Sequence, residues 1–190
     1  MQLLQTARQV LEEAGAERLT LAWVAERAGV SKPIAYDHFA TRAGLLIALL
    51  EDANRYYESD AEAKIEAAPQ TVPAIAAIVA EAYVNCSIQA GPAVAVLSAA
   101  VAADAETRSA GLGFQADHAA QFQRAFASVL NPDGAPPLLF KSLVAAANAI
   151  CDELLRKAVS KADAQQTLAS LLNTSLTPFA RPGTVERTSK

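Results

Sequence analysis

Around Pro33 the sequence gathers side chains that suit the edges and the backbone of a nucleic acid: Lys32, Ile34, Tyr36, Asp37 and His38. A lysine can donate to guanine O6 and N7, an isoleucine can pack on a thymine methyl, and a carboxylate can accept from cytosine N4. Tyr36 and His38 carry polar ends that can hold a phosphate. Each residue also has a plainer reading. A carboxylate beside phosphates is costly unless it is paired, so Asp37 could instead pair with Lys32, and Tyr36 and His38 could pack at the rim of a small core.

These residues need elements to hold them, and the flanking sequence supplies the punctuation. Thr20 can cap a first turn, and Leu21, Val24, Ala25 and Ala28 follow at i, i+3, i+4 and i+7, which predicts a short amphipathic helix. Gly29 suits the left-handed position that ends such a helix, and Val30 gives the turn an apolar anchor. Ser31 or Lys32 caps the next helix, with Pro33 in its first turn. Serine is the better cap, whereas a residue before proline avoids helical angles, which favours Lys32. On a helical wheel Ala35 and Phe39 point to the core, and Pro33, Ile34 and Asp37 point the opposite way. Tyr36 and His38 flank them, and Lys32 reaches forward. That is the layout of a recognition helix. Upstream, Leu3, Leu4, Ala7, Val10, Leu11 and Ala14 form a stripe ended by Gly15, which predicts a first helix that completes a three-helix core. Trp23 lies off the stripe of its helix; it packs on the first or fourth helix, or it meets the DNA backbone.

The run Ala25-Glu26-Arg27-Ala28-Gly29-Val30-Ser31, followed by Tyr36-Asp37-His38-Phe39 and Leu45-Leu46, resembles the N-terminal domain of tetracycline-repressor-like (TetR) transcriptional regulators. The motif covers about a quarter of the chain. Two departures stand out. The lysine usual at the start of the following helix is Arg42, which keeps a phosphate-binding charge. The acidic residue usual two places later is Gly44, which removes a capping-box partner for Thr41. The resemblance implies a DNA-binding transcriptional regulator, a repressor released from a palindromic double-stranded operator by a small molecule. Its DNA-contacting residues would be Thr20, Ser31, Lys32, Pro33, Ile34, Tyr36, Asp37, His38 and Arg42.

With 190 residues and 52% hydrophobic content, the chain can bury a sizeable core. Strand-like alternation is nearly absent, so the expected fold is all-α: a three-helix helix-turn-helix domain over 1–44, a larger helical effector-binding and dimerisation domain over 45–180, and a disordered tail over 181–190. The net charge of −4 lies wholly beyond residue 50. Before it, Arg8, Arg18, Arg27, Lys32 and Arg42 balance Glu12, Glu13, Glu17, Glu26 and Asp37. Lys32, Arg42 and helix N-termini must then form a local positive edge, with a modest salt dependence. Cys86 and Cys151 are too few and too far apart for a zinc motif or disulfide framework, so they read as reduced core thiols. No signal peptide is evident, and a cytoplasmic location is expected. The uncharged run from Ala82 to Ala103 could span a bilayer by length, but Asn85, Ser87, Gln89 and Gly91-Pro92 break it, so two soluble helices and no membrane are expected.

Beyond the reader, Leu45, Leu46, Leu49, Leu50, Ala53, Tyr56, Tyr57 and Ile65 predict a helix from Thr41 until Pro69, a mechanical link between the domains. Gln70 or Thr71 opens a helix ended by Gly91, and Pro92 opens another. A helix from about Ala105 runs toward Leu130, with Gly111 and Gly113 in its early part, and Asn131-Pro132-Asp133-Gly134 is a turn. Two later helices, the second capped at Ser160-x-x-Asp163, have heptad-like spacing. By the resemblance they pair with a twin, with Leu143, Ala147, Ile150, Leu154, Leu168, Leu171 and Leu172 at the homodimer interface and Ala145, Ala146 and Ala149 allowing close approach; the plainer reading is an ordinary core pair. A two-fold dimer would set half-sites ~34–36 Å apart or a multiple of that. Tyr56, Tyr83, Asn85, Phe114, His118 and Phe122 combine aromatic walls with polar handles, as expected of a pocket for a hydrophobic effector; most such aromatic stripes, though, are simply core.

Enzyme chemistry finds little support. His38 and His118 are the only imidazoles, neither HExxH nor a phosphate loop occurs, and Asp152 and Glu153 diverge on a helix. No cofactor or metal is expected. The other surviving class is a helical ligand-binding or dimeric interaction protein with a degenerate reader, kept open by the balanced charge and by Asp37.

Overall fold

The computed structural model describes residues 2–15, 18–101 and 117–182, and the backbone alone over 91–101. The chain folds as helices: α1 (Gln2–Ala14), α2 (Leu21–Arg27), α3 (Lys32–Phe39), α4 (Arg42–Ala67), α5 (Val72–Val101), α6 (117–126), α7 (Pro137–Leu155) and α8 (Lys161–Leu176), with a 3-10 turn at Thr177–Phe179. The all-α expectation holds; among the described residues β-type pairing is limited to the bridge between Leu130 and Ala180.

Two compact units share these helices. The first comprises 1–55 and 89–111, the second 56–88 and 112–190. In the first, Leu3, Ala7, Val10 and Leu11 of α1 pack with Leu21, Val24 and Ala25 of α2, Ala35 of α3, and Leu45, Leu46 and Leu49 of α4. This is the stripe expected from helical spacing, and each buried leucine or valine contributes on the order of 1.5–3 kcal/mol. Leu45 to Leu49 belong to this core, so the unit holding the helix-turn-helix continues along α4 to Arg55. Trp23 is half-buried against the same cluster.

The second unit is built on Val72, Ile75, Val79 and Tyr83 of α5, Phe122 and Phe126 of α6, Phe140, Leu143 and Ala147 of α7, and Leu168, Leu172 and Leu176 of α8. Val72–Ala90 is long and apolar enough to cross a membrane by length and composition. Its packing explains that character differently, since one face of it lines this core. The N-terminal cap of α5 is Thr71, whose Oγ1 accepts from Ala74 N–H at 3.4 Å.

Three expectations need correction or restriction. Gly91-Pro92 does not divide two helices: α5 runs through to Val101. Proline's fixed φ is a helical value, so it forfeits one hydrogen bond rather than the conformation, and the apolar run on both sides sustains the helix. α6 ends at residue 126, short of Leu130. The chain there is diverted into the bridge with Ala180, where Asn131 N–H donates to Phe179 O at 2.9 Å and Arg181 N–H to Val129 O at 2.8 Å. The early part of that helix, with Gly111, Gly113 and Phe114, lies outside the described residues, as does 183–190 of the tail. The turn after the bridge is as expected, with Gly134 at φ 64° and its N–H donating to Asn131 O at 2.9 Å.

Candidate nucleic-acid interface

The α2–turn–α3 segment is fixed by its own backbone bonds. Thr20 Oγ1 accepts from Trp23 N–H at 3.2 Å and starts α2. At the other end Gly29 takes φ 67°, with Gly29 N–H donating to Glu26 O at 3.2 Å and Val30 N–H to Ala25 O at 3.0 Å. This pair of bonds is the Schellman ending, which only a residue tolerant of positive φ completes without strain. Val30, partly buried on the core, supplies the accompanying apolar contact.

Ser31 is the cap position of α3, with extended φ −72° and ψ 149°, so the choice between Ser31 and Lys32 falls to Ser31. Its hydroxyl makes no capping bond, which leaves it available to an outside acceptor. Pro33 sits in the first turn, where a missing N–H costs nothing. Along α3 Ala35 is fully buried and Phe39 half-buried, whereas Lys32, Pro33, Ile34, Tyr36, Asp37 and His38 are all exposed. Ile34 is 44% and Tyr36 49% exposed. Among the described residues of the first unit they are its exposed large apolar side chains, and both lie on this helix. Asp37 forms no ion pair among the described residues, so the alternative of pairing with Lys32 is not realised. His38 packs against Phe39, ring centroids 6.0 Å apart.

Arg42 stands where the sequence reading wanted a phosphate-binding charge, and it has a structural task as well. Its Nε donates to the carbonyl of Leu19 at 2.8 Å, anchoring the start of α4 to the link between α1 and α2. Thr41 Oγ1 accepts from Gly44 N–H at 3.0 Å and caps α4 without an acidic partner. Elsewhere in this unit Arg27 pairs with Glu13 at 2.5 Å and Arg8 with Asp52, which ties those cations to acids.

The candidate effector residues divide. Tyr83, His118 and Phe122 come together in the second unit, the Tyr83 ring meeting His118 edge-on at 5.3 Å and Phe122 at 5.4 Å. Tyr56 does not join them; it is 62% exposed and stacks edge-on with Tyr57 at 5.1 Å. Asn85 is half-buried on α5. Sequence reasoning missed Asn148, whose Oδ1 accepts from the Tyr83 hydroxyl at 2.8 Å. A lone amide inside the apolar run from Val144 to Ile150 was the available signal. Burial pushes the Tyr83 hydroxyl far above its ordinary range and pushes the Cys86 thiol up to about 12, with nearby Cys151 adding to both. Burial also lowers the His118 pKa, opposed by Asp117 and Glu58. The cluster is therefore neutral and apolar, with the tyrosine, amide and imidazole as its polar handles.

The residues expected at the dimer interface also divide. Leu143, Ala147, Leu168 and Leu172 are buried in the chain's own core, while Ile150, Leu154 and Leu171 are half-buried at its edge. The exposed stripe of α7 is Leu138, Ser142, Ala145, Ala149 and Asp152, and that of α8 is Gln166, Ser170 and Thr174. Core and interface stripes share one periodicity, so heptad-like spacing alone does not separate the two faces. Among the described residues no group of three His, Cys, Asp or Glu could hold a metal ion.

Comparison with known proteins agrees with this architecture. Residues 3–49 match the family described as bacterial regulatory proteins, tetR family. No curated protein matches significantly. Among solved structures, a protein from Rhodococcus sp. assigned to the TetR-family transcriptional regulators superposes with a TM-score of 0.69 at 21% identity, over 92% of this chain and 96% of that one. SmeT, the repressor of the Stenotrophomonas maltophilia multidrug efflux pump SmeDEF, gives 0.62 at 17% identity over 99% and 93%. The multidrug binding protein EbrR, solved with imidazole, gives 0.63 at 21% over 90% and 92%. Identities this low establish the fold, and the matched reader adds the family signature. Residues 3–49 are thus similar to the tetR family of bacterial regulatory proteins, and the chain as a whole shares the fold of the solved structures above.

Proposed function

We propose that this chain is a cytoplasmic homodimeric repressor that holds a palindromic DNA operator and releases it when a hydrophobic small molecule occupies the second unit. The observation that carries the reading is α3, a helix at a fixed turn whose exposed face offers Lys32, Ile34, Tyr36 and Asp37 together. Exposed apolar side chains beside a cation suit a groove that presents thymine methyls and guanine acceptors. Thr20, Ser31, Pro33, His38 and Arg42 complete the contact surface, with hydroxyls and cations for the phosphates. The fold shared with a repressor and with a multidrug binding protein supports release by a small molecule.

In this reading the effector meets Tyr83, His118 and Phe122, with Asn148 added; Asn85, Tyr56 and Phe114 complete the sequence-derived set. α4 is the link, because its first half packs in the core of the first unit and its second half belongs to the other unit. Operator and effector binding are then reciprocally linked by a coupling on the order of 1–3 kcal/mol. Two subunits meet through the outward stripes of α7 and α8, with Ile150, Leu154 and Leu171 at the edge. One observation favours a second reading, a ligand-binding or interaction protein with a degenerate reader: Asp37 is exposed and not ion-paired among the described residues. Selection of bound duplexes from a random DNA pool, with and without metabolite extract, decides. A recovered palindrome whose binding the extract weakens supports the repressor. Failure to retain any duplex in dilute buffer leaves the second reading.

A further inference from the structure

With Ala35 as its only fully buried residue and Phe39 half-buried, α3 has too small an apolar face to fix its own pitch. Its ends must do so. The leading end is set by the Gly29 turn. The trailing end is a strained corner: Ala40 sits at φ 55° and ψ −50°, and Thr41 N–H donates back to Phe39 O at 2.5 Å. These are the angles of the rare γ-turn of positive φ. The corner brings the Phe39 carbonyl down onto the first turn of α4, where a Cβ on Gly44 would lie 2.1 Å from its oxygen and 3.3 Å from its carbon. Both sides of the notch are pinned. Gly44 N–H is held by Thr41 Oγ1 at 3.0 Å, and the neighbouring Arg42 is held by the carbonyl of Leu19, itself fully buried.

We propose that Ala40 and Gly44 form a positioning corner that sets the angle at which α3 is presented to DNA, with the missing side chain at 44 serving as the seat for the last carbonyl of α3. The inference rests on α3 being the DNA-contacting helix. A side chain at 44 meets backbone rather than a movable side-chain end, so it must lift the Phe39 carbonyl and swing the end of α3. The core of the first unit, built from α1, α2 and the leucines of α4, is not required to move. Gly44 is thus more than a lost capping partner.

The test compares full-length wild type, Gly44→Ala, Ala40→Gly and the double variant on a duplex that the wild type recovers from a random pool, and on a scrambled duplex of the same composition. Gly44→Ala is expected to lose about tenfold in affinity for the recovered duplex, the worth of one well-formed base contact, while affinity for the scrambled duplex and the salt slope stay as in wild type. Ala40→Gly in the Gly44→Ala background restores part of the loss, because glycine lets the corner reopen. If Gly44→Ala does not fold, Ala40→Gly alone decides: its Tm rises as the strain is relieved, and its preference for the recovered over the scrambled duplex narrows. Unchanged discrimination in every folded variant, or a lowered Tm for Ala40→Gly, overturns the corner. A wild type that recovers no duplex overturns the DNA reading, and the corner's role falls with it.

Discussion

Lys32 and Arg42 carry the same charge and are set to different work by what surrounds them. Lys32 is exposed at the start of α3, whereas Arg42 is half-buried with its Nε on the Leu19 carbonyl. Lys32→Ala should therefore change which duplexes are preferred while leaving Tm unaltered, measured by competition among duplexes and by thermal unfolding. Arg42→Ala should weaken binding to all duplexes alike, flatten the salt slope, and also cost about 1–3 kcal/mol of stability, because a carbonyl loses a charge-assisted donor. Arg42→Ala with an unchanged unfolding midpoint would refute the anchoring role. His118 gives a pH effect with a definite sign. Burial lowers its folded pKa below the ordinary 6.5, so near and below that value the unfolded chain binds the extra proton more readily. Stability should decline as pH falls from about 6.5 toward the folded pKa, and His118→Gln should flatten that part of a denaturant-midpoint series. An identical series for the variant would remove His118 from the account. The sequence had placed His118 beside Phe122 by their shared face, but not Asn148, since the Tyr83–Asn148 bond joins residues far apart in the chain.

Among the elements, the helices whose ends are set locally were the legible ones. α1 ends at Gly15, α2 runs between Thr20 and Gly29, α3 carries Pro33 in its first turn and α4 stops before Pro69, as the sequence indicates, because caps and left-handed glycines act within one turn. α8 is of the same kind. Ser160 Oγ accepts from Asp163 N–H at 3.1 Å and its hydroxyl lies 2.7 Å from the Asp163 carboxylate. Ser160→Ala is expected to cost about 1 kcal/mol, read as a lowered denaturant midpoint, and Ser160→Thr, which keeps the hydroxyl, to retain most of the stability. If Ser160→Ala were neutral, the cap would not matter to the unit. The elements that misled were those decided by distant partners. α6 stops where the Leu130–Ala180 bridge takes over the backbone bonds, and nothing near Leu130 announces that. α5 continues through Gly91-Pro92 because the missing bond of one proline is outweighed by the helix on both sides.

At the scale of the whole molecule, the proposed dimer turns on which face of α7 and α8 would meet a second copy, because periodicity alone does not separate the inward leucines from the exposed stripe. Burial separates the two faces. Leu168 is fully buried in the core of its own unit, while Ala145 and Ala149 are small, exposed and a helical turn apart on the outside of α7. Small exposed residues let two helices approach closely, and a two-fold contact brings each into play twice. Ala149→Arg should therefore convert a dimer to a monomer in sedimentation equilibrium with Tm little changed at high protein concentration. Leu168→Ala should instead leave a cavity and cost about 2–5 kcal/mol of stability. Affinity separates the consequences further. A monomer grips one half-site, so Ala149→Arg should lose most of its affinity for a two-half-site duplex while a single half-site is bound as well as by wild type. A dimeric Ala149→Arg protein would send the interface elsewhere, and equal loss on single and paired half-sites would mean that the substitution had damaged the reader rather than separated the pair.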